Sequence, residues 1–343
     1  MTQLRNKVLR GSIAVLQKSY DLERTGARTR AVRINETRLR VLAEHFDHSK
    51  LVHWTKSSPV SITDLPEEER LGFLFVFNAI SFSYYPDPNK PKWKVEYRGK
   101  TIERGTWSML AALKKGVDSL FIELESSVLL SITQERLREL LKGEGKVEIP
   151  LLEERFRILR ALARVIHPHR FRAFVAEAVT NGNPDEGQPT LATALNIVDY
   201  IISKIPSFED TATYEGIEVP FNKRAQLLVS DIHELMPRPN IYTFNGIDEL
   251  TACADYILPM VLRHFGILEY SRELAHKVDR RIPLPLGGVE EVEIRANTIV
   301  AVYNLSQLLS ISQMRINDYL WNLGPELPES REHHLVEPRT TAY

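Results

Sequence analysis

Apolar residues recur every three or four positions along most of the chain, and this spacing predicts α-helices. The pattern is clearest in four segments, namely 107–118, 134–143, 151–166 and 189–205. Residues 1–50 also predict helices, whose basic residues alternate with acidic ones as on a solvated face. The run 71–82 is a buried apolar stretch whose type the pattern does not decide. We therefore expect a mainly α-helical fold.

One short segment departs from the helical pattern. Residues 92–105 alternate apolar and polar positions around Arg98-Gly99, which predicts a small β-hairpin. The prolines in the preceding loop, 84–92, forbid regular structure there.

The chain shows no tandem repeat and no long linker, so we expect one mostly helical domain over residues 1–343. Within it we distinguish an N-terminal helical part, 1–106, which contains the hairpin, and a second helical part, 107–324.

Composition excludes several classes of protein. The formal net charge of −1 gives no support for a stable nucleic-acid complex, and no apolar run approaches the ~20 residues of a membrane span. The single cysteine excludes an intrachain disulfide, and no export signal is visible, so we expect a cytoplasmic protein. His167 and His169 have too few partners for zinc, and glycine-rich cofactor loops are absent from the sequence. We therefore expect no metal and no organic cofactor.

Segment 221–235 places a carboxylate within an apolar helical stripe. A helix starting near Asn222 buries one face and sets Asp231 among leucines. The preceding residues, 207–220, end in a glycine-containing turn, so the unit is a helix, a hairpin and a helix. The start of the second helix, near Lys223, offers N–H groups suited to a phosphate.

Segment 245–266 predicts a second helix with a kink. Pro259 lacks an N–H, so the carbonyl four residues earlier, that of Asp255, loses its helical partner. Asp255 thus combines a carboxylate with an apolar setting, which is typical either of a paired structural residue or of a functional one.

Segment 314–324 concentrates polar and aromatic groups within two helical turns. Asn317, Asp318, Tyr319, Trp321 and Asn322 could stack on a flat heterocycle and hydrogen-bond its edge, or simply pack their rings into the core.

Six ordered segments of this chain resemble the queuosine salvage proteins, the queuosine 5′-monophosphate N-glycosylases. They are 77-FNAISFSYYPDP-88, 207-SFEDTATYEG-216, 223-KRAQLLVSD-231, 252-ACADYILP-259, 290-EEVEIRA-296 and 318-DYLW-321. The resemblance implies hydrolysis of queuosine 5′-monophosphate to free queuine and a fold similar to the helix-hairpin-helix DNA glycosylases.

The resemblance also implies site residues. The essential aspartate of that fold lies near the start of a helix, which favours Asp255 as the catalytic carboxylate, with Asp231 and Asp199 as competitors. We expect the following residues to bind substrate: Cys253, Tyr256, Asp231, Asp199, Lys223, Asn317, Asp318, Trp321 and Asn322. Cys253, Asn222 and Asn322 depart from the family pattern, where the first two positions are aromatic and the third is an aspartate.

Two other functions remain open at this point. A helix-hairpin-helix unit can bind nucleic acid or a nucleotide without chemistry. A DNA or tRNA base glycosylase would instead need a groove that accepts a flipped base.

Overall fold

The computed structural model describes residues 6–86, 90–167, 170–181, 192–237, 241–327 and 333–343, and within these ranges the chain is mainly helical. The helices are α1 (Lys7–Arg24), α2 (Glu36–Glu44), α3 (Glu67–Ile80), α4 (Gly105–Asp118), α5 (Ser126–Ser131), α6 (Gln134–Leu140), α7 (Leu152–Ile166), α8 (Phe171–Asn181), α9 (Ala194–Lys204), α10 (Lys223–Leu235), α11 (Ile257–His264), α12 (Arg272–Asp279), α13 (Val289–Leu309) and α14 (Gln313–Leu323). The strands are β1 (Val32–Ile34), β2 (Val95–Tyr97), β3 (Lys100–Ile102), β4 (Thr211–Tyr214), β5 (Ile217–Pro220), β6 (Leu268–Tyr270), β7 (Leu284–Pro285) and β8 (Val336–Glu337).

The strands form two-stranded sheets. The pairs β1–β6, β2–β3 and β4–β5 are antiparallel, whereas β7–β8 is parallel. The predicted mainly helical fold and the hairpin within 92–105 are thus confirmed, and most of the apolar run 71–82 belongs to α3.

Both hairpins turn through two residues with positive φ. Arg98 and Gly99 have φ of 50° and 73°, and Glu215 and Gly216 have φ of 48° and 81°. Such a pair forms the tight turn whose twist matches that of the strands, and glycine adopts the left-handed region without steric cost. The order helix, hairpin, helix is present as α9, β4–β5 and α10.

The chain divides into two compact units. Unit 1 comprises residues 1–57, 210–226 and 248–342, and unit 2 comprises residues 58–209, 227–247 and 343. The single domain expected from the sequence and its division at residue 106 stay predictions.

Unit 1 is built around α13, which is buried along most of its length. Its core combines apolar residues drawn mainly from α1, the β4–β5 hairpin and α13: Val8, Leu9, Val15, Tyr214, Val219, Phe221, Ala254, Val292, Ala296 and Ile299. Gly11 allows α1 to approach β5 closely, because a Cβ there would lie 3.2 Å from the carbonyl oxygen of Glu218.

Helix α13 also carries buried charges into this core. Glu293 accepts hydrogen bonds from the backbone N–H groups of Ala31 (2.7 Å) and Val32 (3.2 Å) and from the hydroxyl of Tyr214 (2.6 Å). Burial and this contact with Glu293 raise the pKa of Tyr214, so the hydroxyl remains a donor. One carboxylate therefore joins α13 to β1 and β4.

Unit 2 packs around α3, whose residues 71–80 are all buried. The guanidinium of Arg155 on α7 lies fully buried and donates to the carbonyls of Phe82 (2.5 Å) and Pro150 (3.0 Å). Arg155 thus provides hydrogen-bond donors to the backbone after α3 and before α7.

No helix in the described part of the chain combines the length and the apolar character that a membrane span requires.

Candidate active site

Asp255 lies just before a helix rather than inside one. Residues 250–254 are not helical, and the Oδ1 atom of Asp255 accepts hydrogen bonds from the N–H groups of Ile257 (2.8 Å) and Leu258 (3.3 Å) at the start of α11. The predicted continuous helix over 245–266, with a kink at Pro259, is therefore wrong. Pro259 occupies the first turn of α11, where an N–H would have no helical acceptor.

The second carboxylate oxygen of Asp255 faces an ammonium group. Its Oδ2 atom lies 3.9 Å from the Nζ atom of Lys223, and the two side chains are about a tenth exposed. This distance is too long for a hydrogen bond but short enough for a strong attraction between charges in a poorly solvated setting. One oxygen of Asp255 thus serves the fold, and the other remains available for chemistry beside a cation.

Lys223 begins α10, and the start of this helix already contacts a carboxylate. The backbone N–H of Lys223 donates to the Oδ2 atom of Asp210 (3.4 Å), while Asn222 exchanges two hydrogen bonds with Asp210. Asn222 has φ of 49°, a conformation that asparagine tolerates better than most residues. The sequence predicted that N–H groups at the start of this helix bind a phosphate. One of those groups, the N–H of Lys223, is instead bonded to Asp210.

Arg295 on α13 connects the segments that carry Asp255 and Lys223. Its guanidinium forms a bidentate pair with Asp210, at 3.0 Å to Oδ1 and 2.5 Å to Oδ2, and its Nε atom donates to the carbonyl of Ala254 (3.1 Å). The side chains of Arg295 and Asp210 are nearly inaccessible to solvent, so water screens the attraction between their charges only weakly. Sequence reasoning missed both residues, although Glu-x-Glu-x-Arg in an apolar helix signals buried charges.

Helix α14 supplies a second polar group to unit 1. The Oδ1 atom of Asn317 accepts from the N–H of Cys253 (2.9 Å), and its Nδ2 atom donates to Asp318 (3.2 Å). The Oδ2 atom of Asp318 lies 4.0 Å from the Nε2 atom of His53. Cys253, Asn317 and Asp318 are thus connected, and sequence reasoning missed His53 as their neighbour.

Aromatic rings lie near this group. Trp321 packs edge-on against Trp54, with 5.7 Å between ring centroids, and Tyr319 packs against Phe46 at 4.2 Å. Trp321 follows Asp318 by three positions, so the two side chains share one side of α14.

The other residues expected to bind substrate make different contacts, and two of them lie in unit 2. Asn322 donates to the carbonyl of Val52 (3.2 Å), and the ring of Tyr256 packs against His333 at 4.7 Å. In unit 2, Asp231 is fully buried and accepts from the Nδ2 atom of Asn78 (2.9 Å).

Asp199, also in unit 2, lies exposed on α9. Its environment differs from that of Asp255, which is buried and 6% exposed.

The imidazole of His334 interacts with Arg295. Burial, together with the charges of His333 and Arg295, lowers the pKa of His334 to about 3, so this imidazole is neutral at pH 7. The described residues contain no group of three or more His, Cys, Asp or Glu side chains placed to hold a metal ion. His169 lies outside the described residues.

Comparison with known proteins decides the family. A family profile described as "Queuosine salvage protein" matches residues 60–342. The chain belongs to the queuosine salvage protein family. It is 36% identical over 266 residues to a protein of Sphaerobacter thermophilus named queuosine 5′-phosphate N-glycosylase/hydrolase, covering 76% of this chain and 78% of that protein.

Mammalian proteins of the same name are also similar. The protein of Mus musculus is 30% identical over 76% of this chain and 78% of its own length, and that of Bos taurus is 28% identical over 78% and 81%. The resemblance found in the sequence is thereby confirmed.

The two hydrogen bonds of Asp255 predict how its variants affect stability. Both Asp255→Ala and Asp255→Asn lose the attraction to Lys223, but only Asp255→Ala also removes the acceptor at the start of α11. The free energy of unfolding of Asp255→Ala should therefore be about 1 kcal/mol lower than that of Asp255→Asn. Urea denaturation measures both, with Ser271→Ala at the start of α12 as a matched loss of a helix cap. Equal losses for the two Asp255 variants would contradict the capping role.

Proposed function

We propose that this protein hydrolyses the N-glycosidic bond of queuosine 5′-phosphate and releases queuine. The observation that carries the proposal is the buried Asp255–Lys223 pair in a chain of the queuosine salvage family. The names of the similar proteins supply the substrate, and the pair supplies groups suited to the reaction. Water is the only co-reactant required.

Asp255 is our candidate for the catalytic carboxylate. Cleavage of the bond between the ribosyl C1′ and the base nitrogen develops positive charge on the sugar, while the bonding electron pair leaves with the base. A carboxylate held beneath C1′ stabilises that charge. Water then adds to C1′ and a proton reaches the base nitrogen, giving ribose 5-phosphate and queuine. Asp255 suits this role because its Oδ1 atom is fixed by α11.

Departure of the base needs help of a particular kind. Queuine is a 7-deazapurine and lacks the ring nitrogen that acid catalysts protonate in ordinary purines, so assistance must come through hydrogen bonds elsewhere on the base. We assign donation to the departing base to His53, and Asp318 beside it accepts from N–H groups of the base. The rings of Trp54 and Trp321 are candidates for packing on the base. Asn317 instead positions Asp318 and Cys253, since both ends of its amide contact them.

Other expectations from the sequence remain part of the proposal. Cys253, Tyr256 and Asn322 stay candidates for contact with substrate, and a glycosylase fold of the helix-hairpin-helix type, a cytoplasmic location and the lack of a stable nucleic-acid complex stay predictions.

The proposal is tested by chromatographic detection of queuine. The purified protein should release queuine from queuosine 5′-phosphate, with much less release from queuosine, from GMP (as guanine) and from queuosine-containing tRNA. Release from tRNA above all would indicate a polynucleotide glycosylase instead. No release from any substrate, with a salt-dependent gel shift, would favour a binding module.

Lys223 is our candidate ligand of the 5′-phosphate. Its ammonium has three donors, and the 3.9 Å contact with Asp255 leaves donors for a phosphate oxygen. Loss of a charge-assisted hydrogen bond should raise KM about tenfold. We therefore expect Lys223→Met to raise KM for queuosine 5′-phosphate by this factor and KM for queuosine much less.

Lys18→Met on α1 is the control for loss of a lysine charge in unit 1. Equal increases in KM for the nucleotide and the nucleoside would show that Lys223 does not bind the phosphate.

A further inference from the structure

Two of the residues proposed for catalysis are attached, through their backbones, to one buried ion pair. Asp255 follows Ala254, whose carbonyl accepts from the Nε atom of Arg295 at 3.1 Å. Lys223 donates its own N–H to Asp210 at 3.4 Å. Arg295 and Asp210 bind each other through two hydrogen bonds, so a continuous chain of contacts joins both residues.

Several neighbours hold this pair in place, including Glu291, whose Oε1 atom lies 3.5 Å from a terminal nitrogen of Arg295. The guanidinium is planar, and its central carbon lies 3.9 Å from the ring centroid of Phe221. The side chains of Arg295 and Asp210 are 2% and 6% exposed. Asn222 holds Asp210 through two further hydrogen bonds. The Oδ1 atom of Asn222 accepts from the N–H of Asp210 at 3.2 Å, and the N–H of Asn222 donates to the carbonyl of Asp210 at 3.1 Å.

We propose that Arg295 and Asp210 are positioning residues for the glycosidase reaction, setting the placement of the Asp255 carboxylate relative to the Lys223 ammonium. This inference rests on the proposed function. Arg295 occupies both carboxylate oxygens of Asp210, and the pair contacts the backbone at one residue before Asp255 and at Lys223 itself. A misplacement of about 1 Å in such groups costs about 100-fold in rate.

Arg295→Lys tests the proposal because it keeps the positive charge but loses the planar guanidinium that binds both oxygens of Asp210. A lysine cannot bond both oxygens of Asp210 and the Ala254 carbonyl in one plane. We expect kcat for queuosine 5′-phosphate to fall about 10- to 100-fold because the Asp255 carboxylate is misplaced. KM should rise by less than the increase of about tenfold expected of Lys223→Met, since the Lys223 ammonium itself is retained.

A double-mutant cycle separates positioning from general damage. If Arg295 acts through Asp255, then Arg295→Lys should lower the residual rate of Asp255→Asn by less than about threefold. Glu293→Gln is the matched control, because Glu293 is equally buried on α13 but contacts Ala31, Val32 and Tyr214 instead. It should lower the melting temperature and leave kcat within about threefold of the parent protein.

A milder variant keeps the test decisive if Arg295→Lys does not fold. Asn222→Gly removes the contact with the Asp210 N–H, preserves the positive φ and leaves no buried charge unpaired. We expect it to lower kcat several-fold, again with little further effect in the Asp255→Asn background.

Two results would overturn the inference alone while the unaltered protein remains active. One is an unchanged kcat in Arg295→Lys and Asn222→Gly when both variants fold. The other is a fall in kcat that is as large in the Asp255→Asn background as in the unaltered protein. A protein that releases no queuine before any substitution would overturn the proposed function, and the inference with it.

Discussion

The burial of charge on α13 is the constraint on which unit 1 depends. Glu293 and Arg295 face a largely apolar core, where an unpaired charge would cost several kcal/mol. Each is therefore bonded to segments distant in sequence: Glu293 to β1 and Tyr214, and Arg295 to Asp210 and Ala254. A helix that must satisfy its charges in this way fixes where the neighbouring loops run, including the loop that ends at Asp255.

In the proposed site, single side chains make two different contacts through their two terminal atoms. Asp255 uses Oδ1 to begin α11 and leaves Oδ2 facing Lys223. Asn317 uses its oxygen to hold the N–H of Cys253 and its nitrogen to hold Asp318. The geometry of the proposed site thus follows from contacts that also stabilise the fold, so its groups are preorganised without a substrate.

Periodicity and turn chemistry predicted the local elements well, because these depend on neighbouring residues. The helical segment α10 and the turn at Arg98-Gly99 are examples. The prediction of one helix over 245–266 was wrong. The apolar spacing of this segment fits a helix, but Asp255 and Pro259 together favour the start of a helix. The Arg295–Asp210 pair joins residues 85 positions apart, so no local pattern could reveal it.

The most direct test of the central claim is the single-turnover rate of queuine release by Asp255→Asn. This variant retains an acceptor for α11, so its fold should be intact while the negative charge is lost. We expect release from queuosine 5′-phosphate to be at least ~10²–10³-fold slower than in the unaltered protein, with Asp231→Asn as the comparison. A rate within threefold of the unaltered protein, or a comparable loss only in Asp231→Asn, would contradict it.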